Sequence, residues 1–95
     1  MLNPDDLIAR IKRFNDSRGG GVVVDHRRGG YTLLLEATGA PIARLKPVGE
    51  SDRMRVLYWS HRDRWADAAP LGGITLPLDD ALEFIANEPV FWTYT

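Results

Sequence analysis

The chain of 95 residues contains no cysteine. That excludes disulfides, thiolate nucleophiles and the cysteine-built zinc sites, and it fits a reducing cytoplasm. No apolar run approaches the roughly 20 residues of a membrane-spanning helix. Pro4, Asp5 and Asp6 stand where a secretory leader would need positive charge and an unbroken apolar stretch. The expectation is a cytoplasmic chain with no membrane partner. Histidine is scarce, with 2 residues, His26 and His61, far apart and without a carboxylate cluster at ligand spacing. No metal and no cofactor is therefore expected.

Positive charge is missing from one third of the chain. Residues 65–95 hold 5 acids and no base, whereas residues 1–64 hold all 12 Lys and Arg against 8 acids. The overall net charge of -1 conceals this split and gives no general pull toward phosphate backbones or anionic lipid. Hydrophobic content of 44% with 26% charged residues is that of a folded globular chain. At this length the chain makes one domain, residues 1–95, with a single sheet and one or two helices.

Asn3 caps a first helix, with Pro4 at N1, Asp5 and Asp6 in the first turn, and Leu7, Ile8, Ile11 and Phe14 as its apolar stripe. Arg10, Lys12 and Arg13 lie off that stripe and are expected on a solvated face. Gly19-Gly20-Gly21 ends the helix. A phosphate loop would need a strand before such a triplet and a helix after it, the reverse of the order here.

Four strands follow. Residues 22–27 place Val22, Val24 and His26 on one face and Val23, Asp25 and Arg27 on the other. After the turn at Arg28-Gly29-Gly30, residues 31–37 point Tyr31, Leu33, Leu35 and Ala37 inward. After Thr38-Gly39, residues 42–46 point Ala43 and Leu45 inward and Ile42, Arg44 and Lys46 outward. The fourth strand, from Arg53 to Trp59, puts Met54, Val56 and Tyr58 on the core face. A short fifth strand over Trp65-Ala66-Asp67 is possible by pattern. Ile74-Thr75-Leu76-Pro77 leads into a second helix over residues 78–87, with Asp79 and Asp80 in its first turn. Leu78, Ala81, Leu82 and Ile85 form its buried stripe. The tail from Val90 is either a last strand or a hydrophobic plug. The expected fold is α+β, a four- or five-stranded antiparallel β-meander with an N-terminal and a C-terminal helix.

Tyr58-Trp59, Trp65, the acid-introduced helix Leu78-Asp79-Asp80-Ala81-Leu82-Glu83-Phe84-Ile85 and Phe91-Trp92 together resemble a family of short bacterial proteins of uncharacterised function. The likeness covers about residues 40–92. It implies a small α+β domain and lends no activity.

The remaining chemistry is sparse. Asp25 and His26 point to opposite faces of a regular strand and cannot readily form a dyad. A satisfied, buried position is the expectation for His26. His61 could pair with Asp63, but Ser60 is the only hydroxyl nearby and is badly aimed if the chain is extended. No catalytic residue is assigned, and an enzyme dependent on His61 ranks last among the readings. The outer sheet face combines Val23, Leu34, Ile42, Leu57 and Trp59 with Asp25, Arg27, Glu36, Arg44, Lys46, Arg53 and Arg55. Tryptophan and arginine are favoured at interface hot spots. The leading expectation is a small non-enzymatic interaction module that self-associates through this outer sheet face. Its contact residues would be Arg53, Arg55, Leu57 and Trp59, and its partner a second copy or another protein. The alternative is a single-stranded nucleic-acid binder using Trp59, Arg62, Arg64 and Trp65.

Overall fold

In the computed structural model of the protein, residues 3–49, 51–60, 63–67 and 74–92 are described. Helix α1 (Pro4–Ser17) starts where the sequence places it. The Asn3 side chain accepts a hydrogen bond from the Asp5 N–H at 2.8 Å, and Pro4 occupies the first turn, where its missing donor costs nothing. The helix stops in a Schellman motif. The Gly20 N–H donates to the Asn15 carbonyl at 2.9 Å and the Gly19 N–H to that of Asp16 at 3.3 Å, with Gly19 at φ +98°. The glycine triplet is thus a helix stop.

Strands β1 (Val22–Arg27) and β2 (Gly30–Leu35) pair from Val22↔Leu35 to Arg27↔Gly30. Arg28 and Gly29 both adopt positive φ, +52° and +74°, as a two-residue primed turn requires. β2 is shorter than expected. The Leu35 N–H donates to the Ala40 carbonyl and the Gly39 N–H back to Leu35, so Glu36, Ala37 and Thr38 form the turn and Ala37 is exposed rather than inward. Strands β3 (Pro41–Pro47), β4 (Arg53–Trp59) and β5 (Trp65–Asp67) continue the antiparallel meander in the order β1-β2-β3-β4-β5.

The sixth strand, β6 (Ile74–Pro77), pairs with the first half of β4 while β5 pairs with the second half. Its four residues end in proline, which reads as a helix lead-in. Pro77 is tolerated because it lies opposite Arg53 at the outer edge, where no ladder donor is needed.

A bulge corrects the expectation for Ile42. The β2–β3 register runs Leu33↔Ala43 and then Leu34↔Pro41, leaving Ile42 as the extra residue. Alternation fails there, and Ile42 and Ala43 are both fully buried instead of facing opposite ways.

Helix α2 (Leu78–Asn87) buries Leu78, Ala81, Leu82 and Ile85. A 3₁₀ turn, Pro89–Trp92, follows and buries Phe91, so the start of the tail is a plug; residues 93–95 lie outside the described ones. Both helices and this turn pack on one face of the sheet, around Tyr31, Leu33, Leu45, Met54 and Val56. Arg10, expected to be solvated, instead reaches Asp52 at 2.9 Å and Asp79 at 3.1 Å, and Arg18 reaches Glu83 at 2.6 Å. These pairs tie α1 to α2 and to the loop before β4. The hydrogen bond to Asp52 holds the Arg10 guanidinium above its ordinary pKa.

His26 is also corrected. It is exposed and stacked flat on Tyr31, ring centroids 4.5 Å apart, because β1 is an edge strand with no neighbour beyond it to bury the ring.

Candidate functional site: the outer sheet face

With the helices on one face, the other face of the sheet is left as surface. The registers align Asp25, Thr32, Arg44, Leu57 and Asp67 as one row across five strands. Arg44 is the best-held member, at 9% exposure. Its Nη1 donates to the Thr32 hydroxyl at 2.6 Å and its Nη2 to the Arg27 carbonyl at 2.9 Å. The guanidinium lies directly over Gly30, where an added Cβ would stand 2.6 Å from Nη2. Glycine there lets the guanidinium lie against the backbone, and any side chain would displace it.

Replacing Gly30 with alanine is expected to evict Arg44 from both acceptors and to cost about 1–2 kcal/mol. Arg44→Ala in the same chain should absorb part of that loss. A thermal double-mutant cycle checks it: strict additivity would show that the two positions are not coupled.

Beside this row, Lys46 and Arg55 are direct cross-strand partners on the same face. Like charges in that position destabilise a sheet. Asp67 offsets them from β5, accepting from Arg55 Nε and Nη2, both at 2.6 Å. The hydrogen bond from Arg55, aided by its charge and that of Lys46, holds the Asp67 carboxyl below the usual carboxylate range. A depressed folded pKa contributes stability above the unfolded value, near 3.9, and that contribution disappears as pH falls through the folded value. Asp67→Asn should therefore flatten the part of the acid unfolding curve below about pH 4. An unchanged acid limb would refute the assignment.

Arg44, Lys46, Arg55 and Asp67, with Leu57 and Trp65, line a shallow groove of about 270 Å³. Of the contact residues expected from the sequence, Arg53 and Arg55 are exposed, Arg53 reaching the Thr75 carbonyl at 3.4 Å. Leu57 is only 8% exposed and adds little open surface. Trp59 is half-buried and meets its cross-strand partner Trp65 edge to face, with centroids 5.1 Å apart at 74°. Trp65 thus belongs to the outer face, not to the core, and it partly covers Trp59.

The same pair holds two residues of the nucleic-acid alternative. Arg64 is exposed in the adjoining turn, where its carbonyl accepts from the Ser60 N–H at 2.9 Å, and Arg62 lies outside the described residues. His61 lies outside them too, and Ser60 is buried at 5% exposure. Among the described residues no group of His, Asp and Glu is placed to hold a metal ion, and no helix is long and apolar enough to cross a membrane.

The chain is an α+β domain with an antiparallel sheet covered by helices on one face. No family model, no curated protein and no solved structure matches it.

Proposed function

We propose that the protein is a small non-enzymatic interaction module whose outer sheet face receives an acidic surface of a partner protein. The observation that carries this reading is the Lys46–Arg55 opposition beside the anchored Arg44. Three cations gathered on one face cost stability by themselves, and Asp67 compensates only part of their charge. An acidic partner supplies the rest. The half-exposed Trp59 and Trp65 add large apolar area next to that charge, the composition of an interface core with a polar rim. Two copies placed face to face would oppose like charge over Lys46, Arg53 and Arg55, so an acidic partner suits this face better than a second copy of it.

Single-stranded nucleic acid is the second reading, favoured by the adjacency of the Trp59–Trp65 pair to exposed Arg64. Labelled polyglutamate and a labelled oligonucleotide, titrated at low and at high salt, separate the two. The protein reading expects polyglutamate to bind at low salt and Lys46→Ala with Arg55→Ala to weaken it at least tenfold. Preference for the oligonucleotide, lost on Trp65→Ala, transfers the assignment to nucleic acid. No binding of either ligand at low salt sinks both.

A further inference from the structure

The long free edge of the sheet is β1. The opposite edge is divided between β5 and β6, of three and four residues, whereas β1 offers six residues in regular register. Natural edge strands are commonly blunted by proline, lysine or a bulge. β1, reading Val-Val-Val-Asp-His-Arg, has no proline, lysine or bulge, its two charges, Asp25 and Arg27, pair with each other, and Val23 is 40% exposed.

The direction of its backbone groups follows from the hairpin. Arg27 and Gly30 flank a two-residue turn, so they form a hydrogen-bonded pair, and bonding alternates along the ladder. Val23, Asp25 and Arg27 bond inward to β2, which leaves the N–H and C=O groups of Val22, Val24 and His26 pointing away. Two contacts support this phase. The Gly21 carbonyl accepts from the Glu36 N–H at 2.8 Å, and the Val22 carbonyl, on the outer side, accepts from the Asn15 side chain at 2.8 Å. Asn15 therefore closes the edge at Val22. Among the described residues nothing occupies the outward groups of Val24 and His26, which form a template for another strand.

Beside that edge, Lys12, Asn15 and Asp16 of α1 and residues 22–24 line a groove of about 400 Å³. Asp16 is exposed and has no ion-pair partner among the described residues.

We propose that two copies of the chain pair antiparallel through β1, about a two-fold axis at Asp25, to make one continuous sheet. This phase matches Val24 of each copy with His26 of the other, forming about four main-chain hydrogen bonds without disturbing Asn15. A phase centred on Val24 would need the Val22 carbonyl, which is already occupied. Arg28 of the second copy comes opposite Val22, at the groove that Asp16 lines together with Lys12; Asp16 is the acid it can pair with there, and the two-fold axis makes that match twice. The two Asp25 side chains meet at the axis, each already paired with its own Arg27 at 2.8 Å. An acidic or basic strand from an unrelated protein could satisfy the backbone but not this reciprocal pattern. The pairing is independent of the outer-face reading, since it uses the edge and leaves Lys46, Arg55 and Trp65 open on both copies.

Analytical ultracentrifugation of the full chain, from about 10 μM to 1 mM, tests it over the range expected of a small interface. The expected result is a concentration-dependent dimer. Val24→Pro removes an outward N–H with no partner among the described residues and should lower the association constant at least tenfold beyond Val24→Ala, which gives up the same packing against the core but keeps the N–H. Asp16→Arg should also weaken the dimer, and adding Arg28→Asp should restore it by exchanging the two charges. Aspartate suits the positive φ at residue 28. A wild type that stays monomeric at 1 mM overturns the proposal. So does a dimer unaffected by Asp16→Arg, or one that Trp59→Ala rather than an edge variant dissolves.

Discussion

Replacing Phe91 with alanine is expected to lower the unfolding free energy by about 3–5 kcal/mol, a large share of what a domain of this size possesses. Phe91 is 2% exposed and meets Phe84 edge to face, with centroids 5.5 Å apart at 79°. The neighbouring Trp92 fixes the turn by donating its indole N–H to the Ile85 carbonyl at 2.9 Å. The 3₁₀ turn therefore closes the core between α2 and the sheet rather than trailing from it. Val90, in the same turn but 42% exposed, should tolerate alanine within about 0.5 kcal/mol. Thermal unfolding checks both, because the Phe91 variant should melt about 15–30 °C lower. Equal, small shifts at the two positions would refute the plug.

Ile42→Ala should cost about 2–5 kcal/mol, since its side chain is fully buried in the core. Strict alternation through β3 would put the residue on the outer face and limit the loss to about 0.5 kcal/mol. Denaturant unfolding distinguishes the two, with the midpoint falling at constant m-value if only packing is lost. The same experiment at Arg44, the next outward position, reads the loss of hydrogen bonds rather than of a core side chain.

These two predictions fall where reading from sequence succeeded least. The first strand, the fourth, the short fifth and the second helix have the residues that pattern assigns them, because each is governed by local rules. Asn3 and Pro4 start α1, a left-handed Arg28-Gly29 pair turns the first hairpin, and the spacing of Leu78, Ala81, Leu82 and Ile85 orients α2. Ile42 escapes such rules, since the bulge is a mismatch between two strands and leaves no mark in either alone. The strand β6 escapes them as well, since Ile74-Thr75-Leu76-Pro77 is a strand only because β4 leaves half of its edge open.

The candidate site divides in the same way. Arg53, Arg55, Leu57 and Trp59 were legible as one face from period-two spacing alone. Sequence order could not reveal that Leu57 is nearly covered, or that Trp65 turns back onto Trp59. Nor could it show that Asp67 clamps Arg55, which depends on how β5 returns beside β4. The part played by Gly30 is equally remote, because its neighbour is a guanidinium 14 residues further on.

By itself, the sequence determined the kind of domain, the position of both helices and most strands, the uneven charge of its two parts, and the absence of cysteine chemistry. Those properties follow from local backbone preference, side-chain periodicity and composition. Tertiary structure alone decided which way Ile42 points, that β6 exists, what stands over Gly30, which charges oppose each other at Lys46 and Arg55, and which edge of the sheet stays open. Each of these depends on register between segments distant in the chain, and register is set by the joint burial of both faces rather than by any single stretch.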